Sequence, residues 1–154
     1  MKIEIFINGI FYQKDVPPDH RLLDFLREDL GMKGTKKGCD QGECGACSVI
    51  LNGKVVNSCL IMMVQLPEHS EVETIESTDS MVLSLQDSFV KRGATQCGAC
   101  TPGMIMATTA LLRNKPKTND REVREELSGV ICRCTGYQKI FDAIKDTQEH
   151  LERG

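Results

Sequence analysis

The first half of the chain alternates apolar and other residues in the manner of β-strands. Ile3, Ile5 and Ile7 occupy every second position up to Asn8-Gly9, a two-residue hairpin signal. A second Asn-Gly pair, at residues 52–53, predicts another hairpin. The predicted strands are residues 3–7, 10–16, 48–51, 55–56 and 72–76.

A single helix is predicted between these strands. Apolar residues recur at helical spacing over residues 22–30, and Gly31 stands where a C-terminal cap belongs. This pattern predicts a helix of about ten residues. Strands that surround one helix are typical of a ubiquitin-like β-grasp fold.

The second half of the chain has a helical period. Its apolar spacing predicts four helices: the first ends near Gly93, and Thr101-Pro102 caps and begins the second. Asn119, with Glu122 three residues later, is a capping pair before the third. Polar residues near positions 76–80 separate the halves. We therefore predict an α+β chain, with a β-grasp domain over residues 1–77 and a four-helix domain over residues 78–154.

Composition indicates that these domains need more than hydrophobic burial. The chain has 154 residues, aromatic residues make up 5% of them, and there is no Trp. Two small cores would therefore be marginally stable without disulfides or metal centres.

The start of the chain lacks a secretory signal and no apolar segment is long enough to span a membrane, which predicts a cytoplasmic protein. Eight cysteines in that setting favour metal binding over disulfides. A net charge of −3 without a basic stripe argues against nucleic acid as a partner.

The first cysteine group has the spacing of plant-type ferredoxin ligands. Cys39, Cys44 and Cys47 form C-x4-C-x2-C, and Cys59 follows after eleven residues. Three glycines in this segment, Gly38, Gly42 and Gly45, are expected to allow positive φ angles and to leave N–H groups free to face sulfur. A zinc knuckle on Cys44 and Cys47 is the alternative.

The second cysteine group is less specific by itself. Cys97-x2-Cys100 directly precedes a predicted helix, whose positive end would favour an anionic cluster, and Cys132-x-Cys134 lies between the last two helices. A zinc half-site or a thioredoxin-like dithiol could use C-x2-C, although a thioredoxin motif belongs in a βαβ unit. C-x-C is unusual for structural zinc and favours a second iron–sulfur cluster. No catalytic constellation accompanies the cysteines, so no substrate site is expected on this chain.

Three segments together resemble one family. Residues 38–47, 96–104 and 132–137 are similar to the small 2Fe-2S subunit of the molybdenum hydroxylases, the xanthine oxidase family. The resemblance implies a plant-type 2Fe-2S ferredoxin domain followed by a four-helix 2Fe-2S domain. It places a cluster on Cys39, Cys44, Cys47 and Cys59 toward FAD, and one on Cys97, Cys100, Cys132 and Cys134 toward molybdenum. It also implies that Gln96 and Cys134 contact the molybdopterin.

The resemblance further implies an electron-transfer subunit of a larger oxidoreductase. Electrons would pass from the molybdopterin site through two 2Fe-2S clusters to FAD. Molybdopterin cytosine dinucleotide and FAD would then belong to partners, a molybdopterin-binding large subunit and an FAD-binding medium subunit, in a heterotrimer or a dimer of heterotrimers. A free-standing double-cluster ferredoxin and a zinc-stabilised interaction module are the alternatives.

Overall fold

The computed structural model describes residues 1–154, and its first half is built on one mixed sheet of five strands in the order β2-β1-β5-β3-β4. β1 and β5 run parallel, and the other neighbouring pairs are antiparallel. Both Asn-Gly hairpins are confirmed, since all four turn residues have positive φ. The strands are β1 (Lys2–Ile7), β2 (Ile10–Asp15), β3 (Ser48–Leu51), β4 (Lys54–Asn57) and β5 (Ser70–Glu73).

The last strand lies earlier in the chain than predicted. We expected residues 72–76, but β5 is Ser70–Glu73. The strand stops because the N–H of Thr74 donates to the side-chain Oδ1 of Asn8 at 2.8 Å instead of continuing the ladder. A side chain at a hairpin turn thus ends a strand that is distant in sequence.

The helix of the first half begins as an α-helix, α1 (Leu22–Asp24), and continues as a π-helical turn over Phe25–Asp29. The helix lies where the pattern predicted it, but the apolar spacing did not reveal the π-helical turn. The turn is widened because the N–H of Leu30 donates to the carbonyl of Phe25, five residues earlier, at 3.1 Å. Gly31 follows with φ +68°, as expected of a C-terminal cap.

The second half contains four helices, as predicted. Asn119 and Glu122 form the expected capping box, with reciprocal hydrogen bonds of 3.0 Å. Thr101 is not the cap of its helix: Cys100 occupies that position, and the Thr101 hydroxyl pairs with that of Thr95 at 3.2 Å. The helices are α2 (Ser80–Lys91), α3 (Thr101–Asn114), α4 (Asp120–Leu127) and α5 (Gln138–Arg153). None of the helices is both long and apolar enough to cross a membrane.

Helix α3 packs on the sheet and joins the two halves. One apolar core lies between the sheet and α1, and a second lies among the four helices. Ile50 of β3 belongs to the second core, so the halves share buried apolar surface. Arg113 of α3 adds ion pairs to Glu73 at 2.6 Å and to Asp79 at 2.9 Å.

Three backbone segments meet at Gly45, with no room for a side chain. A Cβ built at Gly45 would lie 2.1 Å from the carbonyl oxygen of Gly129, and one built at Gly103 would lie 2.3 Å from that of Gly45. Gly45 also has φ +71°. We call this meeting of residues 45, 103 and 129 the Gly45 contact. It joins the first cysteine loop to the start of α3 and to the segment between α4 and α5.

Replacing Gly45 by Ala should destabilise the protein for two reasons, the positive φ and the clash with Gly129. Gly53→Ala is the matched control, because Gly53 has φ +82° but open space around its Cβ position. We expect the control to lose about 1 kcal/mol of stability from backbone strain and Gly45→Ala to lose at least about 1 kcal/mol more. The melting temperatures of the two variants provide the comparison. Equal losses would contradict the role given to the Gly45 contact.

Candidate metal centres

The first cysteine group folds around its own sulfur atoms. The N–H groups of Gln41, Glu43 and Cys44 donate to Cys39 Sγ at 3.5, 3.3 and 3.3 Å. In return the N–H of Cys39 donates to Cys44 Sγ at 3.3 Å. Donors of this kind stabilise negative charge on sulfur and tune a centre that the sulfur ligates.

The loop conformation was only partly predicted. Gly42 and Gly45 have positive φ as expected, but Gly38 does not. Gly38 is needed for space instead, because a Cβ there would lie 2.6 Å from Cys44 Sγ. The third left-handed position of the loop is Asp40, with φ +64°, a conformation that Asp tolerates better than most residues.

Asp40 is held in place by a cation that the sequence did not single out. Arg21 Nη1 donates to Asp40 Oδ1 at 2.6 Å, and this bond lowers the pKa of Asp40. The same guanidinium binds Asp24 of α1 at 2.6 Å. Arg21 therefore ties the cysteine loop to α1, although no local pattern connects the three residues.

The four sulfur atoms of this group differ in their surroundings. Cys39 and Cys44 are half-buried, whereas Cys47 and Cys59 are buried. Donation by the N–H groups of Cys44, Gln41 and Glu43 lowers the pKa of Cys39 to about 7. Burial, followed by the neighbouring thiol of Cys47, raises the pKa of Cys59 to about 11. The group thus has an outer pair, 39 and 44, and an inner pair, 47 and 59.

The second cysteine group also consists of an outer and an inner pair. Cys97 and Cys134 are exposed, with their sulfur atoms 3.5 Å apart. Cys100 and Cys132 are buried. Burial and the thiol of Cys132 raise the pKa of Cys100 to about 12. Cys100 is also the N-cap residue of α3, so it lies at the positive end of a long helix.

Hydrogen bonds from Thr135 distinguish Cys132 from its neighbours. The Thr135 hydroxyl lies 3.0 Å from Cys132 Sγ, and the Thr135 N–H donates to the same sulfur at 3.4 Å. Burial alone would raise the pKa of Cys132, but the bonds from Thr135, together with hydrogen bonds from the Cys134 backbone and the Cys100 thiol, outweigh it and lower the value to about 7. Gln96, one of the two residues expected near the pterin, is exposed beside Cys97, and the other, Cys134, belongs to the same outer pair.

The arrangement of the thiols fits a binuclear centre. Each group has an outer pair and an inner pair of cysteines. A 2Fe-2S cluster takes four thiolates, two on each iron, so the pairs fit it.

A single hydrogen bond connects the two groups. The N–H of Ile131 donates to the carbonyl oxygen of Cys44 at 2.9 Å. Cys44 belongs to the first group, and Ile131 directly precedes Cys132 of the second. The bond lies beside the Gly45 contact, which brings these backbones close enough to form it.

Two protein-family models match the chain. A 2Fe-2S iron-sulfur cluster binding domain matches residues 5–82, and a second 2Fe-2S binding domain matches residues 71–145. Together they include all eight cysteines.

Curated relatives match over nearly the whole length. The nicotinate dehydrogenase small FeS subunit of Eubacterium barkeri is 45% identical, over 93% of this chain and 92% of that protein. The xanthine dehydrogenase iron-sulfur-binding subunit of Escherichia coli O157:H7 is 43% identical, over 96% of this chain and 94% of that protein.

Solved structures share the fold. Quinoline 2-oxidoreductase from Pseudomonas putida 86 contains a chain with a TM-score of 0.91 and 44% identity, covering 100% of this chain and 97% of that one. The aldehyde oxidoreductase of Desulfovibrio desulfuricans gives a TM-score of 0.94 at 38% identity, but this chain spans only 17% of that much longer one. From the paired thiols, the two matching domains and these relatives, the chain belongs to the family of small 2Fe-2S iron–sulfur subunits of the molybdenum hydroxylases.

Proposed function

We propose that this chain carries electrons, one at a time, from a molybdopterin-binding subunit to an FAD-binding subunit. The observation that carries the proposal is the hydrogen bond from Ile131 to Cys44, which connects the two cysteine groups. The relatives also support it. They are named for different substrates, nicotinate and xanthine among them. This is expected if the small subunit performs the same electron transfer in enzymes that act on different substrates.

Each cysteine group would hold one 2Fe-2S cluster. When bound, such a cluster supplies reversible one-electron chemistry at a potential that its ligands and their hydrogen bonds set. The ligand sets are Cys39, Cys44, Cys47 and Cys59 for the first, in a domain over residues 1–77, and Cys97, Cys100, Cys132 and Cys134 for the second, in a domain over residues 78–154.

The burial of the thiols supports one direction for the relay. The exposed pair, Cys97 and Cys134, would face the molybdopterin together with Gln96. The buried Cys132 leads through Ile131 to Cys44, and the outer loop around Cys39 would face the flavin. The chain itself would hold the sulfur atoms and supplies the backbone bond that bridges the groups.

We place this relay in a cytoplasmic complex with a molybdopterin-binding large subunit and an FAD-binding medium subunit, as a heterotrimer or a dimer of heterotrimers. The molybdopterin would be the cytosine dinucleotide. In this proposal the partner subunits bind the molybdopterin and FAD. The residues of this chain serve electron transfer between those subunits.

Metal analysis and electron paramagnetic resonance test the ligand sets. The purified protein should contain about four iron atoms and about four labile sulfides per chain, and its reduced form should give two distinct signals. Cys44→Ser should alter only one signal and Cys132→Ser only the other, because each residue serves one centre. Stoichiometric zinc without labile sulfide would instead support an interaction module.

Purification of the protein from its native source distinguishes a subunit from a free ferredoxin. We expect two larger chains, molybdenum and FAD to accompany it in constant ratio. A monomer that carries both clusters and passes electrons to several unrelated enzymes would contradict the relay.

The bridge between the groups can be tested by Ile131→Pro, which removes the donating N–H and also fixes φ at this position. Ile131→Ala is the control, because it shortens the exposed side chain but keeps the N–H. Stopped-flow reduction of the complex by substrate should show slower reduction of the first centre in the Pro variant than in the control. Equal rates, with both centres fully loaded, would show that the hydrogen bond does not serve the transfer.

A further inference from the structure

The segment after Cys132 forms a small hydrogen-bonded bracket around this residue. The Thr135 hydroxyl lies 3.0 Å from Cys132 Sγ, and the N–H of Tyr137 donates to the same hydroxyl oxygen at 3.2 Å. The N–H of Cys132 donates to the phenol oxygen of Tyr137 at 2.9 Å. Both ends of Cys132, its backbone and its sulfur, are thus bound by residues of the next turn.

The bracket fixes the direction of the hydroxyl bond. A cysteine that ligates iron is a thiolate, so its sulfur has no proton and can only accept. The Thr135 oxygen already accepts a hydrogen bond from the Tyr137 N–H, which directs its own O–H toward another acceptor. With Cys132 Sγ at 3.0 Å, the hydroxyl donates to sulfur.

The backbone of the bracket is held in an unfavourable conformation. Gly136 has φ +68° and Tyr137 has φ +71°, and the left-handed region is unfavourable for a Tyr. Stacking supports the ring of Tyr137, whose centroid lies 6.4 Å from that of Phe141. Arg124 in turn lies over the Phe141 ring, 4.4 Å from its centroid. The strained turn is therefore fixed by packing, and it holds the Thr135 oxygen beside the sulfur.

Burial increases the effect of this bond. Cys132 is 8% exposed, and a hydrogen bond in a region of low dielectric is stronger than one in water. Uptake of one electron adds one negative charge to the centre that this sulfur ligates. A donor on the sulfur stabilises that charge and so raises the potential.

We propose that Thr135 is a positioning residue that raises the reduction potential of the second centre by donating a hydrogen bond from its hydroxyl to Cys132 Sγ. This inference rests on the proposed function, since it assumes that Cys132 ligates a 2Fe-2S cluster. It assigns to one side chain part of the potential difference between the two centres. Thr135 keeps its proton in both oxidation states; only the strength of the bond changes.

Redox titration followed by electron paramagnetic resonance tests the proposal on the full chain or the intact complex. Thr135→Val removes the hydroxyl at nearly constant volume and should make reduction of the second centre about tenfold less favourable, a fall of ~59 mV for one electron. Thr135→Ser should restore the original potential. The first centre, measured in the same sample, should not move.

Thr95→Val is the matched control, because Thr95 lies near the same cysteines but its hydroxyl pairs with Thr101 and not with sulfur. It should leave both potentials unchanged. An unchanged second potential in Thr135→Val, or a Ser variant that behaves like the Val variant, overturns the proposal. Thr135→Ala is the second variant if Val prevents iron binding. If neither binds iron while Ser does, the hydroxyl serves assembly and the proposal is likewise overturned.

Failure of the proposed function gives a different result from failure of this inference. Without 2Fe-2S centres, the unaltered protein would show no labile sulfide and no signal to titrate. With both centres present and Thr135 irrelevant, the signals remain and their potentials do not respond to the variants.

Discussion

The relation between the two cysteine groups depends on the absence of side chains at the Gly45 contact. Three backbone segments approach one another there so closely that neither Gly45 nor Gly103 has room for a Cβ. One segment carries the first cysteine loop, and the other two lead to Cys100 and Cys132 of the second group. The contact therefore sets the spacing between the groups, and the bond from Ile131 to Cys44 forms because of it.

The remaining structure supports this contact by burying apolar surface across both halves. Two cores of this size are marginal by themselves, and the chain has few aromatic residues. Ile50 extends the helical core into the sheet, and Arg113 pairs with Glu73 and Asp79 near the junction. The two cores alone give the folded chain little stability. Iron bound by thiols from separate segments would increase the free energy of unfolding.

Features that depend on neighbours in sequence were predictable, and features that depend on distant backbone were not. The Asn-Gly hairpins, the capping box at Asn119 and the cysteine spacings are local and were anticipated. The early end of β5 depends on Asn8, and the left-handed Asp40 is held by Arg21. No periodicity or motif in a single sequence records such contacts. The role of Gly38 could not be predicted for the same reason. The sequence suggested that Gly38 allows a positive φ, whereas the structure shows that it leaves space for the sulfur of Cys44.

The Gly45 contact also determines what kind of carrier this subunit is. Some electron carriers bring their centres together by rotating one domain about a hinge, so that domain motion on the microsecond to millisecond scale limits transfer. Here rotation would have to separate backbones that touch at Gly103 and Gly129 and break the bond at Ile131. The separation of the centres is consequently a constant of the fold. Transfer within the chain therefore needs no domain movement.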